Sequence, residues 1–569
     1  MRQKCSTHPI CRRYARWLRA LRMSCVLLCT LCSLPLTAQI NTDRMMDIGR
    51  NALYYDDYVL SIQYFNRVIL AKPYLYEPYF YRGLAKFYLE DYTGTEADCT
   101  EAIERNPYFP NTYEVRGLAR INLGKYQLAS DDYRQATEYL PESKALWHNW
   151  VLCNIELDSL QRADSISNII IAKWPKYADG YVMKAQILLA QTDTIAAEAF
   201  TDKALQVDPY NVPSLSFKAS MYATREDWQH VDTLLTEAIR LQPKNTHNYI
   251  NRALARYHRN NLRGAMSDYD QAIDLDPTNF VAHYNRGLLR SQVGEDNLAI
   301  EDFDFILRID PTDVMVIYNR AELLFQTGDY RGAIRDYTTL IQQYPNFLQG
   351  YHRRAEARRR IGDQRGANAD EEHILKEQIA HHYGYSTAAS RQGVHTRKKS
   401  EVNLDDFQKL IVDDEEEDRK YESEYRGKIQ NRNSNADLLP PLSLTAYQEE
   451  ATAPHPAFAT ALEHLLVGEY EAAILDLTTV VEQQPQFAEA YYNRAYAYAK
   501  TAKLQLAIDD LTSAIRLRSN FAQAYFNRGI LRIQTDAPVA DFSSDLSKAG
   551  ELGIYQSYSV LKQHTKAKR

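Results

Sequence analysis

The chain has 569 residues, with 67 Lys and Arg against 74 Asp and Glu, for a formal net charge of −7. That balance excludes a basic polymer-binding surface, which a nucleic acid or an anionic membrane would need. Apolar residues make up 45% and charged residues 25%, the proportions of a folded chain rather than a disordered one.

The first predicted element is a leader over residues 1–38. Arg2, Lys4, Arg12, Arg13, Arg16, Arg19 and Arg22 precede the apolar run "MSCVLLCTLCSLPLTA", and no acidic residue interrupts it. A basic start, a short apolar core and a small residue before Gln39 describe a secretory signal peptide. The apolar run is short for a bilayer span, so the mature chain is expected to have no integral membrane segment. Removal of the seven basic leader residues leaves 60 basic against 74 acidic residues, a net charge of −14. Five of the seven cysteines leave with it. The remaining Cys99 and Cys153 are too few for a disulfide framework and are expected in the core.

From residue 39 to 381 the chain is periodic. Pro73, Pro107, Pro141, Pro175, Pro209, Pro243, Pro277, Pro311 and Pro345 follow one another at intervals of 34 residues. Counting back from each proline gives units starting at Thr42, Tyr76, Pro110, Lys144, Ala178, Val212, Thr246, Phe280, Val314 and Leu348. Each unit is expected to be two helices. The eighth place is small (Gly83, Gly117, Ala253, Gly287, Ala321), as is the twentieth (Ala129, Ala265, Ala299, Ala333), so the two backbones can approach closely. Gly124, Gly294 and Gly328 mark the turn between helices, and the proline ends the second one. The length and the pattern resemble the tetratricopeptide repeat family. The resemblance implies an all-α fold, a solenoid of helical hairpins coiled into a right-handed superhelix, with the first helix of every unit lining a concave groove that holds a peptide or a partner helix.

Residues 382–453 lose the period and carry "RKK", "DDEEEDRK" and "LLPPLSLTA", which predicts a charged, mainly disordered linker. A second array of about three units starts at Pro454, in a phase set by Pro485, and continues from Ala488 and Ala522 to capping helices at 569.

Two side-chain patterns run through both arrays. Arginine at the seventh place is followed sixteen residues later by aspartate in Arg82–Asp98, Arg116–Asp132, Arg252–Asp268, Arg286–Asp302, Arg320–Asp336, Arg354–Asp370 and Arg494–Asp510. Where the arginine is missing the aspartate is usually missing too, as with Trp150 and Ile166. This predicts structural ion pairs between the two helices of one hairpin, because a guanidinium fork suits a carboxylate. Arg528, followed by Ser544, and Thr460, followed by Asp476, break the rule. The second pattern is asparagine at the sixth place beside aromatics. Carried over from the family's inward positions, Asn251, Tyr257, Tyr284, Asn285, Tyr318, Asn319, Phe325, Tyr492, Asn493 and Asn527 are the expected peptide-binding residues. Their amides offer donor and acceptor together. The lysine and asparagine of the family's chaperone-tail clamp are absent from every complete unit.

No phosphate-cradling glycine loop, paired Cys-x-x-Cys or His-Glu-x-x-His occurs, so no catalytic residue, metal ligand or cofactor is expected. The expected protein is an exported, non-enzymatic scaffold that binds a protein or peptide in its groove within a cell-envelope assembly. An accessory subunit of a secretion or envelope-biogenesis machine, a regulator blocked by its own linker, and an enzyme of unrecognised type are the alternatives.

Overall fold

The computed structural model describes residues 41–383 and 455–566. The leader and nearly all of the linker lie outside them. Among the described residues there are 27 helices and no strand. Helices begin at Thr42, Pro110, Lys144, Ala178, Val212, Thr246, Phe280, Val314 and Leu348, the starts set by the proline spacing. Only the second unit differs, opening at Glu77 with Pro78 in the first turn. We call the first and second helix of each unit A and B.

The turn from A to B has one conformation throughout. The fifteenth residue is left-handed: Gly124, Gly294 and Gly328 at φ 69°, 83° and 91°. Asp56, Glu90, Asp158, Thr192, Glu226 and Asn260 hold the same backbone state without glycine, at some cost in strain. The following residue caps helix B. The side chains of Asp57, Asp91, Asp193, Asp227, Asn261 and Asp329 each accept the N–H three residues ahead. Each such cap is worth about 1 kcal/mol.

Helices A and B meet at the small residues. A Cβ added to Gly287 would lie 2.8 Å from Phe303 Cε1, so the ring occupies the space that glycine leaves. Phe303 belongs to a continuous core with Tyr284, Ile306, Val316, Tyr318 and Tyr337. Cys99 and Cys153 are buried free thiols, and burial pushes the Cys99 thiol well above its usual range.

All seven arginine–aspartate pairs are made, from Arg82 Nη2–Asp98 Oδ1 at 2.5 Å to Arg494 Nη2–Asp510 Oδ1 at 2.8 Å. In each, Nε adds a second bond to the other carboxylate oxygen. The remaining Nη1 reaches back sixteen residues to helix B of the preceding unit: Asn66, Thr100, Thr236, Asp270, Asp304, Thr338 or Thr478. The arginine therefore joins three helices, not the two of its own hairpin. Each aspartate usually takes a second cation, four residues after the first: Lys86, Arg120, Arg256, Arg290 or Arg358. Both exceptions also resolve. Arg528 pairs with Asp545, one residue beyond Ser544. Asp476, opposite Thr460, takes His464 Nδ1 at 3.0 Å.

Asp302 is surrounded by His283, Arg286 and Arg290. Burial pushes its pKa up, but His283, Arg286 and Arg290 outweigh that and hold it below the usual range. Its folded value lies below its unfolded value, so the stability it supplies is complete above about pH 4 and lost as pH falls through the folded value. Asp302→Asn is therefore expected to melt lower than wild type by a constant margin near neutrality. In thermal melts that margin should narrow below about pH 4. A margin that widened in acid would contradict the assignment.

The described residues form two compact units: one of residues 41–146 with 455–566, the other of residues 147–383. In the first, the C-terminal hairpin (Val539–Glu551 and Gln556–Lys566) packs against the B helices Tyr58–Ala71 and Tyr92–Arg105. Phe526, Ile530, Phe542, Leu546, Tyr558 and Leu561 share one core with Tyr58, Ile62, Ala85 and Leu89. Lys86, with none of its side chain exposed, sits 2.9 Å from Asp98 and 2.5 Å from Glu551. The sequence reads as two arrays in succession, but the end of the second is part of the core of the first two repeats.

Candidate functional site

The groove positions divide by burial. Tyr284, Asn285, Tyr492 and Asn493 are fully buried, and Tyr318, Asn319 and Asn527 are 2%, 8% and 2% exposed. These seven residues do not present themselves to a partner, which corrects the expectation from the family's inward positions. The physical reason is visible in two of them. Asn319 Nδ2 donates to Tyr284 Oη at 3.1 Å and to the Met315 carbonyl at 2.9 Å. Asn527 Nδ2 donates to Tyr492 Oη at 3.0 Å. In both arrays the sixth-place amide satisfies a buried tyrosine hydroxyl of the unit before, 35 residues away. Burying that hydroxyl without a partner would cost about 1–3 kcal/mol, so Asn319 and Asn527 are explained by packing. The sequence signal was present: tyrosine at the fifth place, then asparagine at the sixth place of the next unit.

Asn251, Tyr257 and Phe325 remain half-buried on the A face. Around Phe325 the structure assembles a cluster from the ninth and tenth units. Helix Val314–Thr327 supplies Tyr318, Glu322 and Phe325, and helix Leu348–Arg360 supplies Arg353 and Glu356. Arg353 stands in the tenth unit where the ninth has Asn319, so the residue 35 places after Tyr318 is a cation instead of an amide. Its Nη2 is 2.8 Å from Glu322 Oε2, its Nη1 only 3.4 Å from Glu356 Oε2, and its guanidinium 5.8 Å from the Phe325 ring centre. Its Nε is buried and makes no hydrogen bond. Tyr337 Oη donates to the other Glu322 oxygen at 2.7 Å.

Electrostatics tie the cluster together. Burial lowers the Arg353 pKa, but Glu322, Tyr337 and Glu356 raise it further, so the cation is fixed. Burial, with Glu322 beside it, pushes the Tyr318 hydroxyl up to about 12. About a third of the Arg353 side chain, 32%, is open to solvent, as is 34% of Glu356. The arrangement is a flat aromatic surface under a partly open guanidinium whose Nη1 makes only a long contact to an exchangeable carboxylate. It can hold a carbonyl or carboxylate oxygen. Glu322, Arg353 and Glu356 escaped the sequence reading because it followed the recurring asparagine, and this cluster lies where the recurrence stops.

A second concavity opens on the B face. A cleft of about 630 Å³ between the eighth and ninth units is lined by Glu301, Asp304, Arg308, Arg320 and Asp336, with Leu307, Pro311 and Ile317 as apolar floor. Among the described residues no helix is long and apolar enough to cross a membrane.

Family models agree with the repeat register. Residues 253–294 match a model described as TPR repeat, and residues 315–346 and 458–520 match tetratricopeptide repeat models. No curated protein sequence matches the chain. Among solved structures, a tetratricopeptide repeat protein from Parabacteroides merdae is 22% identical over 41% of this chain and 97% of its own, with a TM-score of 0.30. PilF of Pseudomonas aeruginosa is 19% identical over 39% of this chain and 99% of its own, with a TM-score of 0.31. YrrB, described as a TPR protein with an unusual peptide-binding site, is 18% identical over 33% and 96%, with a TM-score of 0.30. The repeat register, the stacked hairpins and the matched models together show that this chain contains tetratricopeptide repeats.

Proposed function

We propose that the protein is an exported, non-enzymatic scaffold that holds an extended peptide segment of a partner protein on the A face of its ninth and tenth units, within a cell-envelope assembly. The repeat architecture is suited to protein–protein interaction. The observation that carries the finer reading is Arg353, a cation on an aromatic ring, about a third open to solvent (32%), with one long, replaceable contact from Nη1 to Glu356. A peptide carbonyl or carboxylate that displaces Glu356 from Nη1 takes up a charge-assisted hydrogen bond there, and such a bond contributes about 1.5–3 kcal/mol. Phe325 gives the peptide an apolar surface to lie on. The basic and apolar leader supports export, and the acidic mature chain supports a protein partner over a nucleic acid.

The test is binding of peptides selected from a displayed library on the full mature chain. Arg353→Ala is expected to weaken the selected peptides about tenfold or more, equivalent to about 1.4 kcal/mol, while the protein keeps its helical circular dichroism. Selected peptides that bind Arg353→Ala and Phe325→Ala as tightly as wild type would remove the A-face cluster as the site.

A further inference from the structure

We infer that the B-face cleft between the eighth and ninth units is a second docking surface, and that its occupant is the end of a partner protein's helix carrying lysine or arginine.

The protein contains an occupied copy of this surface. The repeat spacing places Glu301, Asp304, Arg320 and Asp336 seven units of 34 residues after Gln63, Asn66, Arg82 and Asp98. At that earlier site the last turn of helix Val539–Glu551 is seated. Asn66 Nδ2 donates to the Glu551 carbonyl at 2.9 Å, and Lys86 Nζ meets the Glu551 carboxylate. Helix ends can therefore lie across two successive B helices in this fold. The later copy has the same backbone register and no occupant among the described residues, and it leaves the cleft open.

The charge of the two copies differs, and the difference selects the partner. The occupied copy offers Gln63, Asn66 and the cation Lys86, and it receives an acidic residue, Glu551. The open copy has Glu301, Asp304 and Leu324 at those places. Asp304 is 51% exposed even while paired with Arg320 Nη1 at 2.6 Å, and Arg320 already serves Asp336. One guanidinium shared by two carboxylates, with Glu301 exposed beside them, leaves the lining net acidic. Arg308, 5.5 Å from the Phe305 ring, also lines the cleft, so three carboxylates stand against two guanidiniums. An acidic helix end like the chain's own would be repelled, whereas a lysine or arginine in place of Glu551 would be attracted. Leu307, Pro311 and Ile317 give the apolar part of such a contact.

The internal copy also supplies the probe. A peptide of residues 537–566 with Glu551→Lys is titrated into the full chain and followed by fluorescence anisotropy, beside the unmodified peptide. The charge-reversed peptide is expected to bind more tightly than the unmodified one, and more weakly as salt rises. It is disfavoured at the first copy, where its lysine would face Lys86. Glu301→Lys, at an exposed position, should reduce its affinity about tenfold, about 1.4 kcal/mol, with unchanged melting. Arg353→Ala should leave it unchanged, which separates this surface from the A-face site. No binding of the charge-reversed peptide, equal binding of the unmodified peptide, or equal binding by Glu301→Lys would each overturn the inference.

Discussion

Replacing Asp98 by alanine is expected to destabilise the first compact unit by about 3–5 kcal/mol, the cost of leaving buried charge without its partner. Asp98 is 2% exposed and takes Nε and Nη2 of Arg82 together with Nζ of Lys86. Removal would leave two cations in the interior, with Glu551 near both and Asp91 near Lys86. The effect should exceed that of the same change at Asp336, where the clamp has one arginine and where residue 324 is leucine instead of a second cation. Chemical denaturation monitored by circular dichroism measures the difference. Equal losses at the two positions would mean that the second cation adds nothing to what each aspartate holds. The intact pair need not add much net stability, because desolvation offsets most of the attraction. Its function is positional, since a planar fork bound at three places fixes the register of three helices.

The second large effect concerns the end of the chain. Lys86→Ala removes the cation that holds Glu551, whose carboxyl Lys86, Arg82 and Lys548 keep well below the usual range against the opposing effect of burial. Lys548 is 46% exposed and cannot replace a buried partner. The loss is again expected at about 3–5 kcal/mol, and it should appear as undocking rather than general unfolding. Hydrogen exchange should show lost protection in helices Tyr58–Ala71 and Val539–Glu551, while helices Phe280–Gln292 and Val314–Thr327 keep theirs. Uniform loss along the whole chain would instead mean that Lys86 stabilises its own repeat and not the contact between chain ends.

These two residues also show where the sequence was legible. The 34-residue proline spacing gave the helix starts almost to the residue, because proline and small residues act through local backbone geometry that each copy repeats. The arginine–aspartate pairs were legible for the same reason, as two polar residues changing together from copy to copy. The third contact of each arginine was not. Its acceptor alternates among asparagine, threonine and aspartate, which share an oxygen but no obvious pattern. Asn319 and Asn527 show the opposite error, a recurrence that was read as a surface when it satisfies a buried hydroxyl. The docking of Glu551 on Lys86 joins residues 465 apart, and no local spacing reports a contact of that separation. The Arg353 cluster was hidden because it departs from the repeat, and departures carry no periodic signal.

The most direct test of the account fixes where a partner peptide lies. A library-selected peptide carrying a benzophenone is photocrosslinked to the full mature chain, and the adduct is located by mass spectrometry. The account predicts attachment within helices Val314–Thr327 and Leu348–Arg360, centred on Phe325 and Arg353, and loss of the adduct in Arg353→Ala. Attachment confined to the B helices, undiminished by Arg353→Ala, would contradict it.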